Sequence, residues 1–308
     1  MRIQGTGSAA PAKVLTNNDL AQMVDTSDEW IRTRTGIATR HIAQEETTLS
    51  LAMQAAERAL DAALANGVER ERIGLVICAT VSNEKRCPPL ACLLQRDLGL
   101  RSNLLAFDLN AACSGFIYAL IVAQKLVNRE SCALIVGVET LSHLMDFTDR
   151  NTCVLFGDGA GAAVVSFTEA ADSQPLFWVA EAQGDEDLLY ITDFIHMDGQ
   201  GVFKFAVEAL TRSIRAVAAQ AQIGLEEVDL FICHQANERI IASAAKRLGI
   251  PLERFFMNLE RYGNTSAASI PIALDEALAA GALRTGAKTI LAGFGGGMTA
   301  GAVYLIWQ

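Results

Sequence analysis

Basic residues are in short supply: 25 Lys and Arg stand against 35 Asp and Glu, a formal net charge of -10. That balance argues against non-specific affinity for nucleic acid or an anionic membrane, although it leaves room for a local basic patch. No CxxC or HxxxH spacing occurs, so a bound metal is not expected. Long apolar runs are missing too. The longest helical one, Phe116 to Ala123, is closed by Gln124 and Lys125, far short of a membrane span. The first residues, Met1 to Gly7, lack the apolar core of a signal peptide. The seven cysteines are an odd number and show no disulfide framework. Cys78, Cys132, Cys153 and Cys233 lie in apolar, strand-like runs, as small buried hydrophobes do. Reduced thiols and a cytoplasmic location are expected.

What is present is a large core. Hydrophobic residues make up 51% of the 308, enough for two domains or one α/β unit in two halves. The order of patterns favours a duplication. An amphipathic helix from Leu49 leads through a polar loop to an apolar strand at Gly74–Thr80. Residues 202–235 repeat that order, with a helix over Phe203–Ala219 and a strand from Leu230. Leu93–Leu100 then resembles Ala244–Ile250. A strand is expected after each, ending near Cys113 in one half and Asn264 in the other. Glycine-interrupted strand pairs close each half: Cys132–Gly137 with Cys153–Val165, and Thr289–Phe294 with Gly301–Trp307. The halves divide as 1–165 and 166–308. Alternating helices and near-continuous apolar strands predict mostly parallel sheets covered by helices. The stretch 166–201, which includes Pro175, predicts loops with one or two short strands. Asn17–Asp19 and Thr26–Glu29 predict short helix starts, with Thr26 and Glu29 as a capping box.

Ligands of such folds gather outside the C-terminal strand ends. Three chemically useful residues follow apolar runs there. Cys113 opens a helical pattern, where free N–H groups and the helix dipole favour a thiolate. His234, one of four histidines, precedes the next helix, whose positive end favours a neutral imidazole. Such a ring donates from one nitrogen while the other is satisfied elsewhere. Asn264 reads either as a helix cap or as an amide donor aimed at a substrate oxygen. Together they suggest nucleophilic acyl transfer. Three glycine runs, at Gly5–Ala10, Gly157–Gly161 and Gly293–Gly297, lead into no long helix and are poor dinucleotide signals. An N–H near Gly297 paired with that of Cys113 would form an oxyanion hole.

These residues carry a family resemblance. Trp30-Ile31-Arg32-Thr33-Arg34, Ala111-Ala112-Cys113-Ser114-Gly115-Phe116, Phe156-Gly157-Asp158-Gly159, His234-Gln235-Ala236-Asn237, Gly263-Asn264-Thr265-Ser266 and Phe294-Gly295-Gly296-Gly297 resemble the β-ketoacyl-[acyl-carrier-protein] synthase III family. Those are condensing enzymes of the thiolase fold, and the likeness runs over essentially the whole chain. It implies duplicated α/β halves in a five-layered α-β-α-β-α architecture. It implies Cys113 as nucleophile, His234 and Asn264 as decarboxylation residues, and the Cys113 and Gly297 N–H groups as oxyanion hole. No tightly bound cofactor is implied; acyl-CoA and a malonyl-phosphopantetheine thioester on acyl carrier protein are the substrates. Trp30 and Arg150 would clamp the adenine of coenzyme A, with Arg34 near the base or a phosphate. Cys87 stands where familiar members carry a bulky aromatic, in a loop that lines the acyl pocket across a homodimer interface. Lys204, Arg239, Lys246 and Arg247 form a candidate rim for the carrier protein. An acyltransferase for an alcohol, an amine or a specialised-metabolite acceptor stays open beside this reading. A degradative thiolase is disfavoured, because Gly293–Met298 offers no second cysteine.

Overall fold

The computed structural model describes residues 1–167 and 176–308; Pro175 lies outside the described residues. Residues 2–166 supply β1 (Arg2–Ala9), β2 (Val14–Thr16), β3 (Thr39–His41), β4 (Ile73–Ala79), β5 (Leu105–Leu109), β6 (Cys132–Glu139) and β7 (Gly159–Ser166). Residues 177–306 supply β8 (Phe177–Ala182), β9 (Leu189–Ile191), β10 (Ile195–Met197), β11 (Leu230–Cys233), β12 (Lys288–Gly295) and β13 (Thr299–Ile306). The helices are α1 (Asn17–Leu20), α2 (Asp28–Thr35), α3 (Thr48–Ala65), α4 (Leu90–Asp97), α5 (Gly115–Leu126), α6 (Gly199–Gln220), α7 (Glu238–Leu248), α8 (Leu259–Tyr262) and α9 (Ser269–Ala279).

Two main sheets result, ordered β1-β7-β6-β4-β5 and β11-β12-β13-β8. In the first, β4 runs parallel to β5 and β6, while β7 is antiparallel to β6 and β1. The second repeats the scheme with β11 parallel to β12 and β13 antiparallel to its neighbours. Layering follows from which faces are apolar. Helix α3 buries one stripe, Leu51, Ala52, Ala55, Ala56, Ala59, Leu60 and Ala63, and packs with α4 on the outside of the first sheet. Helices α6 and α7 cover the outside of the second sheet in the same way. Helix α5 is different. Phe116, Ile117, Ala119, Leu120, Ile121 and Ala123 bury most of its circumference, as a helix enclosed on both sides must. With α9 it forms the middle layer, packed against strands of both sheets. Pro271 falls in the first turn of α9, where no backbone N–H is needed. The order is α-β-α-β-α.

Four local expectations are corrected. Among the described residues no fifth strand completes the second sheet; where it was expected only a single parallel bridge, Phe231 to Phe255, occurs. The Gln235 side chain takes the backbone groups such a strand would pair, donating to Phe256 O at 3.1 Å and accepting from Asn258 N at 3.1 Å. Cys153 sits in a turn rather than a strand, with its N–H on Asp149 O at 3.0 Å. The described residues of the stretch 166–201 hold the three strands β8, β9 and β10, and β8 belongs to the second main sheet. Helix α2 is capped by Ser27, whose Oγ accepts from Trp30 N at 3.1 Å, not by Thr26. The β2–β3 pair and α1 are tied to the body by Arg40, wholly buried. Its guanidinium donates to Leu15 O, Asn17 Oδ1 and Val154 O at 3.3, 2.8 and 2.8 Å.

The middle layer makes a stability prediction. Leu120→Ala leaves a cavity enclosed by both sheets and is expected to cost about 3 kcal/mol. Urea denaturation at fixed protein concentration measures this; an unchanged midpoint would contradict the layering.

Candidate active site

The site grows from the first turns of α5 and α9. Each helix is preceded by a 3-10 turn, Ala112–Ser114 in one case and Ser266–Ala268 in the other. Each turn opens on a residue with positive φ, Ala112 at 47° and Ser266 at 48°. Non-glycine residues adopt that conformation only at a cost, which the surroundings must override. An asparagine side chain stabilises each turn. Asn110 Oδ1 accepts from Ala112 N at 3.2 Å, and Asn264 Oδ1 accepts from Ser266 N at 2.8 Å. The internal repeat therefore extends to the site itself, with Asn110 and Asn264 as counterparts. That match was present in the sequence at equal spacing from the two helix starts, and sequence reasoning missed it.

Cys113, His234 and Asn264 line one narrow cavity of about 70 Å³, walled by Phe156, Phe205 and Phe294. On the other side of Cys113 a wider cavity of about 630 Å³ opens, lined by Ala111, Leu141, Tyr190, Ile195, Ser266 and Gly297. The thiol thus stands where two cavities meet. Asn264 spends its oxygen on Ser266 N–H, so its NH2 group is the part left to serve as donor. His234 directly follows β11 and is 1% exposed. Its Nδ1 lies 2.7 Å from Ser269 Oγ, and Phe294 meets the ring edge-on at 5.1 Å between centroids.

Electrostatics correct one expectation and give a second a different cause. Burial pushes the Cys113 thiol up to about 12, opposed by a bond from Ser266. The helix start lowers the cost of a thiolate, but desolvation wins at rest and the group is a neutral thiol. The imidazole is neutral as expected, for another reason. Burial alone holds His234 down to about 3; helix α7 begins four residues later, capped by Asn237. A second buried acid lies close by. Glu139 is pushed up to about 7 by burial, and its carboxylate accepts from Val81 N, Ser82 N and Ser82 Oγ at 3.1, 3.1 and 2.5 Å.

The glycine runs form strands and turns rather than phosphate loops. Gly293–Met298 ends β12 and turns into β13, with Gly297 at φ 70°. Gly295 is needed for a close approach: a Cβ there would lie 2.6 Å from Cys113 N. Gly296 and Gly297 both line the wider cavity with Cys113.

Other expected residues lie further out. Trp30 is flanked by two guanidiniums, Arg34 at 4.8 Å and Arg150 at 4.9 Å from its ring centre. None of the three lines either cavity, but Asn237, which lines the narrow one, donates to Arg34 O at 3.1 Å. Lys204, Arg239, Lys246 and Arg247 are all exposed. Arg239 lies 5.9 Å over Phe203, a residue of the narrow cavity. Lys246 and Arg247 are in the last turn of α7, about 10 Å further along the axis. Cys87 is exposed and lines neither cavity of this chain. All seven cysteines are free thiols. Among the described residues no cluster of His, Cys, Asp or Glu is suited to hold a metal, and no helix is long and apolar enough to cross a membrane.

Comparison with known proteins gives the family. Residues 107–184 match 3-oxoacyl-[acyl-carrier-protein (ACP)] synthase III, and residues 218–307 match the C-terminal part of the same family. The β-ketoacyl-[acyl-carrier-protein] synthase III of Aquifex aeolicus is 48% identical over 309 residues, covering 99% of this chain and 98% of that protein. The chain belongs to the β-ketoacyl-[acyl-carrier-protein] synthase III family. The Acholeplasma laidlawii relative of the same name is 43% identical over 312 residues, with 99% and 98% covered. The crystal structure of 3-oxoacyl-[acyl-carrier-protein] synthase III from Aquifex aeolicus superposes with a TM-score of 0.94 at 47% identity, covering 99% of each chain. The thiolase-type architecture of the synthase III family is therefore the fold of this protein.

Two outcomes follow from the geometry. Gly295→Ala is expected to shift Cys113 and lower its acylation by roughly a hundredfold; intact-protein mass spectrometry over time would measure it, and wild-type labelling would refute the close approach. Because His234 stays uncharged down to about 3, condensation should show no imidazole titration from about pH 5 to about pH 8. A rate that tracks a group near pH 6.5 would contradict this. Stability has the matching sign: the unfolded chain binds the proton first, so His234 costs stability as pH falls from 6.5 towards 3.

Proposed function

We propose that this protein condenses an acyl-CoA primer with malonyl-[acyl-carrier protein], releasing carbon dioxide and forming 3-ketoacyl-[acyl-carrier protein], the opening step of fatty acid synthesis. The observation that carries the proposal is the shared cavity of thiol, imidazole and carboxamide. Cys113 Sγ attacks the primer's thioester carbonyl, and coenzyme A leaves as its thiol with the proton from Cys113. Malonyl-carrier protein then binds. Its carboxylate leaves as carbon dioxide, and the electron pair passes onto the thioester oxygen. His234 and Asn264 donate to that oxygen. A carboxylate there would repel the enolate, whereas two neutral donors stabilise it, each by about 2.7–4 kcal/mol. The enolate carbon attacks the acyl-Cys113 carbonyl. The N–H groups of Cys113 and Gly297 hold the resulting oxyanion; its collapse breaks the C–S bond, and the departing Cys113 thiolate takes a proton from water to restore the thiol.

The two cavities divide the work. The narrow one, reaching Asn237 and Phe203, suits a phosphopantetheine arm; the wide one suits the acyl chain. Trp30, Arg34 and Arg150 form the adenine clamp, and Lys204 with Arg239 lies at the end of the rim nearest the narrow cavity. Lys246 and Arg247 extend that rim for the acidic carrier protein. Homodimer formation is supported by β5, whose outer edge is unpaired among the described residues and whose Leu105 is 54% exposed. Asp108 of this strand accepts from Leu90 N and Ala91 N at 2.7 and 2.8 Å, tying the Cys87 loop to the same edge. A second copy on that edge would bring Cys87 towards its neighbour's wide cavity.

Intact-protein mass spectrometry across an acyl-CoA panel is the test. A one-acyl mass gain is expected in the wild type and none in Cys113→Ala. Malonyl-carrier protein should then discharge the adduct with carbon dioxide and a 3-ketoacyl product. In His234→Ala or Asn264→Ala the adduct should form, while condensation drops at least about a hundredfold. Acylation of the wild type without any condensation would refute the proposal.

A further inference from the structure

We infer that Ser269 is the positioning residue that fixes the tautomer of His234, holding the ring proton on Nε2, where the decarboxylation step needs a donor. This inference rests on the condensing reading above for its consequence, though not for its geometry. Ser269 is the first residue of α9, five positions after Asn264. Its Oγ lies 2.7 Å from His234 Nδ1 and 3.3 Å from Gln235 N. Both side chains are buried, Ser269 at 2% and His234 at 1% exposure.

Counting protons decides the direction of the short bond. A serine hydroxyl has one proton and two acceptor positions. A backbone N–H can only donate, so Gln235 N–H occupies one acceptor position. Among the described residues the other partner of Oγ is His234 Nδ1. If the hydroxyl donates to Nδ1, every group is satisfied, and the single proton of the neutral ring lies on Nε2. In the other tautomer Nδ1–H would donate to Oγ, filling its second acceptor position. The hydroxyl proton would then have no protein acceptor among the described residues, the arrangement that buried polar groups avoid. Nε2 would also present a lone pair to the developing enolate, and the two would repel. Burial excludes the doubly protonated ring, which would carry a charge.

The surroundings keep this pair rigid. The Gln235 side chain donates to Cys233 O at 2.8 Å and to Phe256 O at 3.1 Å, which clamps the backbone on both sides of His234. One segment therefore prepares both donors. Ser266 N–H orients the amide of Asn264, and Ser269 Oγ sets the proton of His234.

The test is a tautomer measurement on the whole protein. Long-range proton–nitrogen spectra of 15N-histidine-labelled enzyme contain four histidines, and a His234→Gln sample assigns the signal. The wild type should show a neutral ring protonated on Nε2; a ring protonated on Nδ1 overturns the inference with no activity assay needed. In Ser269→Ala the signal should move to a mixture of both tautomers. The kcat for condensation should then fall roughly tenfold to a hundredfold, with the Cys113 acylation rate within about twofold of wild type. Ser269→Thr retains the hydroxyl and should restore both the tautomer and most of the rate. An unchanged tautomer in Ser269→Ala overturns the inference. So do equal losses in acylation and condensation that Ser269→Thr leaves uncorrected, since these mark a merely structural residue. If Ser269→Ala does not fold, as judged by circular dichroism, the wild-type and Ser269→Thr spectra still decide. A wild type that acylates but never condenses would remove the proposed function while leaving the tautomer assignment standing.

Discussion

Two helices that start side by side between two sheets are the constraint on which this molecule depends. Helices α5 and α9 form the middle layer, enclosed by apolar strands above and below. Their first turns meet in the interior, so the polar groups of two helix starts come together far from bulk water. Such groups must find partners or be used. Some are satisfied by Asn110 and Asn264, one to each turn. What remains is a small polar pocket with a thiol, an imidazole and an amide around it. The positive φ angles of Ala112 and Ser266 are local strain that the packing on both sides maintains.

The two halves of the repeat have diverged in chemistry at equivalent positions. Cys113 in the first turn corresponds to Ala267 in the second, each three residues after its asparagine. In the proposed reaction the first half supplies the nucleophile and the second the donors. Among the described residues the second sheet has no fifth strand, and Gln235 ties down the backbone after His234 instead. A symmetric frame thereby holds an asymmetric site. Desolvation has two effects there. It keeps the imidazole neutral, which suits a donor to an enolate, and it raises the thiol, which opposes nucleophilic attack. The start of α5 offsets that second effect only in part.

Much of the fold was legible in the order of periodic segments. The alternation of helix and apolar strand, and its recurrence at 49–80 and 202–235, are seen directly in the two sheets. Local signals were weaker. Thr26 was expected to cap α2, and the backbone geometry gives that role to its neighbour Ser27. Cys153 sits in an apolar run that folds as a turn, because the Asp149 carbonyl captures its N–H. The missing strand at Phe256 was invisible, since its replacement is a side chain 21 positions away.

Residue types and short-range spacing determined the elements, the duplicated plan and the three candidate side chains of the site, because each of those is encoded within a few neighbours along the chain. Tertiary structure alone decided that those side chains share a cavity, that burial raises the Cys113 thiol, and that His234 meets Ser269 across 35 positions. Burial and hydrogen-bond direction belong to pairs of segments brought together by packing. No single stretch of sequence contains them.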